Sequence, residues 1–424
     1  MTQSLAVILG EAVAGTLTRA RGGAHRFDYD ESYRRRDDAT PLSVSMRTQV
    51  RSHYDESVTP WLWGLLPDNE AVLTRWARQF QASASSPFSL LATPIGHDCA
   101  GAVRFAVPEQ VDELLQRPGQ VDWLSETDMA QRLRDLKADS TAWLGRSFTG
   151  QFSLAGAQAK MALLQRDGRW GEPSGSMATS HILKPAVAGL DDHDLNEHIC
   201  LDAARRAGLL VAHTRVARFE NESAIVVERY DRRDIDGHMA RIHQEDLCQA
   251  MSISPSNKYQ NVGGPSPKQV ATLFREAMPA SAADAAVARF VDALAWNWLI
   301  AGTDAHAKNY SLLLASGQIR LAPLYDLASA LPYGAHEHKL RFAMKMGRDY
   351  LVAPRTNPWP AVAAALRLDP DAVTARVREL ATRAPDALAD AARAPEVVAL
   401  GRPMPARLVE LIAARVLRLQ TLLN

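Results

Sequence analysis

The sequence has little cysteine, no surplus of charge and no long apolar run, and each shortage removes a class of function. The three cysteines, Cys99, Cys200 and Cys248, lie far apart and share neither metal-ligand spacing nor a disulfide framework, which fits a reducing cytoplasm. Lys plus Arg and Asp plus Glu both number 48, so no overall field favours nucleic acid or membrane, although a local patch could. The basic run Arg34 to Arg36 is answered at once by Asp37 and Asp38 and reads as solvated surface. The apolar run Leu5 to Leu9 has no basic flank and is too short for a signal or membrane segment, and no other stretch reaches bilayer length. The expectation is a cytoplasmic protein without membrane contact. A G-x-x-x-x-G-K-[ST] phosphate loop is missing, as are internal repeats and low-complexity tracts. What remains is ordinary globular composition: 424 residues, 47% hydrophobic and 23% charged, enough for two or three domains.

Along the chain, residues 1 to about 105 read as a small α+β unit. Leu5 to Leu9 is strand-like, Leu42 to Arg47 alternates apolar and polar residues, and the segment from Pro60 to Leu66 leads into the helical pattern Glu70 to Phe80. Pro108 to Leu144 reads as a connector. Val216 to Phe219 and Ala224 to Tyr230 suggest a hairpin around Asn221. Gln244 to Met251 reads as the start of a helical region, Ser254 to Lys268 as a Pro/Gly/Ser-rich loop, and the rest as mainly helical.

Chemistry concentrates between Leu299 and Asp326. Asp304 and Asn309 are spaced D-x-x-x-x-N, and Asp326 follows a short apolar segment. Phosphoryl transfer needs a carboxylate to take the proton of a hydroxyl nucleophile, and an amide oxygen with a second carboxylate to hold magnesium. Val287, Phe290, Val291, Leu294 and Trp298 predict a buried helix over 282–301, with Ser281 as its cap and Gly302 at its end. Strand-like runs around Ser316-Gly317 predict a hairpin that folds Asp326 back towards Asn309. Taken alone, Asp304 and Asn309 are equally well turn residues.

Other pieces lie upstream. Gln151 to Leu164 holds a small-residue turn, Ala155-Gly156-Ala157, before Gln158, Ala159 and Lys160, where successive N–H groups could cradle a phosphate or simply close a hairpin. Lys184 ends a strand-like run. Glu197 stands in the first turn of a helix over 194–208, able to pair with Lys184 or to complement the helix dipole. Val227 to Tyr230 suits a hinge that binds adenine. His193 and His198 fit no familiar metal spacing and read as solvated.

In this order the segments FSLAGAQAK (152–160), HILKP (181–185), NEHICLDAARRAG (196–208), VVERYDRR (226–233), SPSNKY (254–259), WLIAGTDAHAKNYS (298–311) and PLYDLASALPY (323–333) resemble the HipA family. WLWGLLPDN (61–69) and GHDCAGAV (96–103) resemble that family's accessory N-terminal domain. The family comprises bacterial serine/threonine kinases, the toxins of type II toxin–antitoxin modules. The resemblance implies an α+β, protein-kinase-like fold. An accessory domain and connector (1–145) would precede a small α+β N-lobe (146–232) and a helical C-lobe (233–424). It implies ATP and Mg2+, with Asp304 as catalytic base and Asn309 and Asp326 as metal ligands. Nucleotide would be held by Ala155, Gly156, Ala157, Gln158, Ala159, Lys160, Lys184, Glu228, Arg229, Tyr230, His306, Lys308, Asn309, Tyr325 and Asp326. Ser153 matches the family's autophosphorylated serine. Ala305 departs from the family, which commonly has glycine there. The implied partners are a helix-turn-helix antitoxin (HipB-like), operator DNA only through that antitoxin, and a protein substrate. The substrate implied is an aminoacyl-tRNA synthetase, notably the glutamate enzyme. Two alternatives stand beside this reading: an ATP-binding co-repressor with decayed phosphotransfer, and a metal-dependent phosphohydrolase using Asp304, His306 and Asp326.

Overall fold

Leu5, Val7 and Leu9 alternate with residues facing the other way, so the strand Gln3–Leu9 gives one of its faces to the core of the first sheet's unit. The computed structural model describes residues 3–144, 152–236, 238–315, 317–334 and 336–424. Gln151 and Ser316 of the motifs above lie outside the described residues. The first sheet is antiparallel and runs Ser52–Tyr54, His25–Tyr29, Ala12–Arg19, Gln3–Leu9, Val103–Ala106. One face packs on Trp61 and Trp76 from helices Asp55–Gly64 and Glu70–Gln79. Ile8 and Ala106 face the opposite side, where Leu114 of the helix Val111–Gln116 covers them. The Asn69 side chain accepts from the N–H groups of Ala71 and Val72, capping Glu70–Gln79 and fixing the turn that carries Pro67 and Asp68. The alternating stretch Leu42 to Arg47 is not a strand. Its backbone turns at an isolated Ser43–Met46 bridge, and Val44 N–H donates to the Glu245 carboxylate at 2.7 Å.

The second sheet is also antiparallel: Thr214–Phe219, Glu222–Glu228, His181–Lys184, Met161–Arg166, Arg169–Ser174, Gln120–Leu124. Its last strand comes from the stretch read as a connector. That stretch also supplies the helix Glu126–Ala138, started by a capping box at Ser125 and Asp128. Phe152, Leu154, Met161, Leu163, Leu183 and Val226 from the small lobe join Leu5, Trp61 and Trp76 in one continuous apolar core. A buried charge network ties the same units. Asp98 binds Arg232 at 2.9 Å and Arg241 at 3.2 Å, Arg229 binds Asp231 at 2.7 Å, and Gly101 N–H donates to Asp231 at 2.7 Å.

The α+β, kinase-like arrangement is completed by a helical lobe. Ala280–Ile300, Pro370–Ala392 and Met404–Leu423 pack with Pro267–Ala277 and Trp359–Leu366 around Trp298, Trp359, Leu408 and Ile412. Ala280–Ile300 begins after Pro279 without a side-chain cap, so Ser281 is not its cap. It ends on Ala301, which adopts the left-handed conformation at φ +55°. Gly302 follows, where a Cβ would collide with the Asn297 side chain. The helical region expected from Gln244 starts only at Leu247, in the short helix Leu247–Ala250 capped by Asp246; Gln244 to Asp246 belong instead to the strand His243–Asp246, paired with Ser311–Ala315, which pairs in turn with Gln318–Leu321. The hairpin before Asp326 is thus the outer part of a three-stranded sheet.

Candidate active site

The helix His193–Arg206 is rich in polar residues, yet most of it is buried between the second sheet and Pro370–Ala392. Several of its buried side chains find partners: Asp194 with Ser223 at 2.9 Å, Asn196 with the Ser329 backbone, His198 with Thr214 at 2.9 Å. The helix begins at His193, so Glu197 lies in its second turn. From there its carboxylate accepts from Lys184 at 2.7 Å, the ion pair rather than the dipole alternative. Lys184 also donates to Asp326 at 2.8 Å. Burial alone would favour the neutral amine, but Asp326 and Glu197 outweigh it and hold Lys184 charged. Burial pushes the Asp326 carboxyl up, while Lys184 and Lys160 pull it well below the usual range. Asp326 takes a left-handed conformation at φ +58°. Its position is fixed on both sides: Leu324 N–H donates to Leu210 O at 2.9 Å, and Ala330 N–H to Ala301 O at 3.1 Å.

Asp304 is exposed just beyond the long helix. It accepts from the Tyr259 hydroxyl at 2.5 Å, and His306 packs edge-on to the Tyr259 ring at 4.9 Å between centroids. His306 Nδ1 is buried without a partner among the described residues, and burial lowers its pKa, favouring the neutral ring. The Asn309 side-chain amide donates to the Asp304 carbonyl at 2.8 Å, which leaves its oxygen as acceptor. That oxygen and the ionised Asp326 are hard donors of the kind magnesium takes. Among the described residues no group of three or more His, Cys, Asp or Glu is placed to hold a metal. Magnesium at Asn309 and Asp326 would complete its shell with water and phosphate oxygens, its usual habit.

In the small-residue turn, Gly156 has φ +103°, a backbone conformation that strains any residue with a Cβ and favours glycine. Lys160 Nζ donates to Ala155 O at 2.7 Å and lies 5.1 Å from the Trp143 ring centroid. Burial, with Lys184 nearby, lowers its pKa to about 8. The turn is docked on the accessory unit, for Asp68 N–H donates to Gly156 O at 3.1 Å. Ser153 lies behind it, fully buried, its hydroxyl donating to Leu65 O at 2.7 Å.

At the hinge, Glu228 N–H donates to His213 O and Arg229 N–H to Ser180 O, both at 2.9 Å. The Arg229 side chain turns away into the buried network with Asp231, Thr179 and Cys99 O. Tyr230 N–H has no backbone partner among the described residues. The Tyr230 and Tyr325 rings approach to 5.8 Å, and Tyr325 donates to Lys308 O at 2.8 Å.

One cleft therefore brings together Ala155, Gly156, Lys160, Lys184, Glu228, Arg229, Tyr230, His306, Lys308, Asn309, Tyr325 and Asp326. Ala157, Gln158 and Ala159 belong to the turn but not to the lining, Asp304 sits outside the lining, and Ser153 is behind the turn. Four contributors, Asp68, Lys258, Tyr259 and Asp246, had no role assigned from the sequence. Asp68 of the accessory unit binds Lys258 at 2.8 Å and Lys308, while Tyr259 and Asp246 complete the catalytic side. The only signal for Asp68, Lys258 and Tyr259 was their place within the WLWGLLPDN and SPSNKY segments.

Residues 152–388 match the model of the HipA-like C-terminal domain, and residues 5–106 that of the HipA N-terminal domain. The chain is 35% identical over 343 residues to the putative kinase Y4mE of Sinorhizobium fredii, covering 80% of each chain. It is 31% identical over 301 residues to the serine/threonine-protein kinase toxin HipA of Shewanella oneidensis, covering 68% of this chain and 66% of that one. The fold superposes with a TM-score of 0.80 on a solved Shewanella oneidensis MR-1 chain from a complex of HipA, HipB and operator DNA, at 24% identity and over 98% of this chain and 97% of that one.

Proposed function

Because the chain belongs to the HipA family, we propose that it is a serine/threonine protein kinase toxin that transfers the γ-phosphate of ATP to a protein serine. The observation that carries the reading is the Lys184 ammonium held between Glu197 and Asp326 beside the Asp304–Asn309 loop. Kinases use this set to seat phosphates, a metal and a base. Adenine would lie between Ile182, Val227, Tyr230 and Tyr325, which line the cleft, with Tyr230 N–H as the hinge donor. Lys184 and Lys160 take phosphate oxygens, with the Ala155 to Lys160 turn as cradle. Asn309 and Asp326 would hold magnesium, which would neutralise charge as the phosphoryl group moves.

The substrate serine oxygen bonds to the γ-phosphorus, the bond to the bridging oxygen of ADP breaks, and the serine proton passes to Asp304. The Tyr259 hydroxyl now donates to that carboxylate, so it yields its place when substrate arrives. His306 packs against Tyr259 and shapes the loop. Ser153 is the autophosphorylation site in this reading. Because it is buried, residues 152–154 must leave the accessory unit for it to react.

The protein target carried over from the family is an aminoacyl-tRNA synthetase, the glutamate enzyme first, and its modification would inhibit translation. A HipB-like helix-turn-helix antitoxin is the partner, and operator DNA is engaged through it. The solved relative in complex with HipB and operator DNA supports that part of the reading. Incubating the purified protein and γ-labelled magnesium-ATP with a cell lysate should place label on serine of a discrete protein. Label appearing only as inorganic phosphate would instead mark a hydrolase and refute the reading.

A further inference from the structure

Asp68 belongs to the first sheet's unit, yet it lies in the wall of the cleft between two lobes that follow it by long stretches of chain. Its carboxylate binds Lys258 at 2.8 Å and Lys308, the residue before Asn309. Its N–H donates to Gly156 O at 3.1 Å, and Pro67 beside it bridges the same glycine. One residue thus touches the small-residue turn through its backbone, and the 254–266 loop and the catalytic loop through its side chain. Burial would favour its protonated form, but Lys308 and Lys258 outweigh that and keep it ionised. The Lys308 side chain is 2% exposed, and the buried Asp246 carboxyl also feels its charge. Removing the Asp68 charge would therefore release two ammoniums in the phosphate end of the cleft, and Lys308 would turn towards Asp246.

We propose that Asp68 is a positioning residue for phosphotransfer: the accessory unit reaches into the cleft to hold Lys308 and Lys258 in place against the small-residue turn. The inference rests on the kinase reading. It assigns the accessory unit a part in the chemistry as well as in the core. Lys308 is adjacent to the metal-holding Asn309, so a displaced Lys308 shifts that amide and the Asp304 loop. A displacement of this size on the catalytic side costs rate more than affinity.

The test is Asp68→Asn in the full chain, with kcat and KM for magnesium-ATP measured beside wild type and Asp304→Asn. Asp68→Asn should lower kcat at least tenfold, leave KM for ATP within about threefold, and preserve the thermal transition. Asp68→Glu, which restores the charge, should recover a substantial part of kcat. Unchanged kcat in Asp68→Asn would overturn the proposal. So would a fall in KM for ATP with kcat preserved, which would make Asp68 a competitor of phosphate rather than a support. If Asp68→Asn does not fold, Asp68→Glu decides: a folded glutamate variant with wild-type kcat supports the charge clamp, and a folded but inactive one overturns it. Absence of phosphotransfer by the wild-type protein itself would instead fail the kinase reading, so the two failures are separable.

Discussion

At the scale of single residues, the hydrogen bond between Tyr259 and Asp304 makes a sharp statement. In the proposed mechanism the Tyr259 hydroxyl occupies the acceptor that the substrate hydroxyl needs. A hydrogen bond to a charged group is worth about 1.5–3 kcal/mol, so Tyr259→Phe should raise kcat/KM for the protein substrate about tenfold or more. A steady-state assay giving a lower value would show that Tyr259 supports the base instead of competing for it. The residues that meet in the cleft were legible where the signal is local: Asn309 and Asp326 fall within one short stretch, with Asp304 beside them outside the lining, and Gly156 is the small residue its turn needs. Asp68 was not legible, because its partner Lys308 is 240 residues away and no periodicity links them. The buried network around the Arg229 side chain was not legible for a similar reason, since its partners Asp98 and Cys99 lie about 130 residues away in sequence.

At the scale of elements, the turn from Ala155 to Lys160 has a built-in pH dependence. Lys160 is held at a pKa of about 8 by burial first and by Lys184 second. Its charge is present below that pH and is lost as pH rises through it. Affinity for magnesium-ATP should therefore fall by up to about tenfold per pH unit above pH 8. Lys160→Arg, whose guanidinium stays charged, should flatten the profile. Calorimetry giving equal slopes for the two proteins would remove Lys160 from the phosphate site. The neighbouring Ser153 is sealed against Leu65, so Ser153→Glu should loosen residues 152–154 and weaken nucleotide binding at least tenfold. A fluorescent nucleotide titration unchanged from wild type would contradict this. Elements whose pattern agrees with their packing were readable, such as the long helix before Asp304 and the hairpin after it. The strand His243–Asp246 was not, because its Gln-Glu-Asp composition suits a helix start. Pairing with Ser311–Ala315 overrides that local preference.

At the scale of the molecule, the accessory unit and small lobe share one core and one buried charge network, so they are expected to unfold together. Asp98→Ala would leave Arg232 and Arg241 without their shared carboxylate, at a cost of about 3–5 kcal/mol. Differential scanning calorimetry should give a single transition for wild type and a lower one for the variant; two separate transitions would contradict the shared core. The order of motifs along the chain made the general architecture legible. The recruitment of Gln120–Leu124 into the second sheet was not, because an edge strand with mostly exposed side chains carries little apolar pattern. The central claim is that the chain moves phosphate from ATP to protein serine with Asp304 as base, and single-turnover transfer from magnesium-ATP by wild type and by Asp304→Asn tests it most directly. The account predicts transfer by wild type and a loss of about 100-fold or more in the variant, with nucleotide affinity preserved. Equal rates in the two proteins would contradict it.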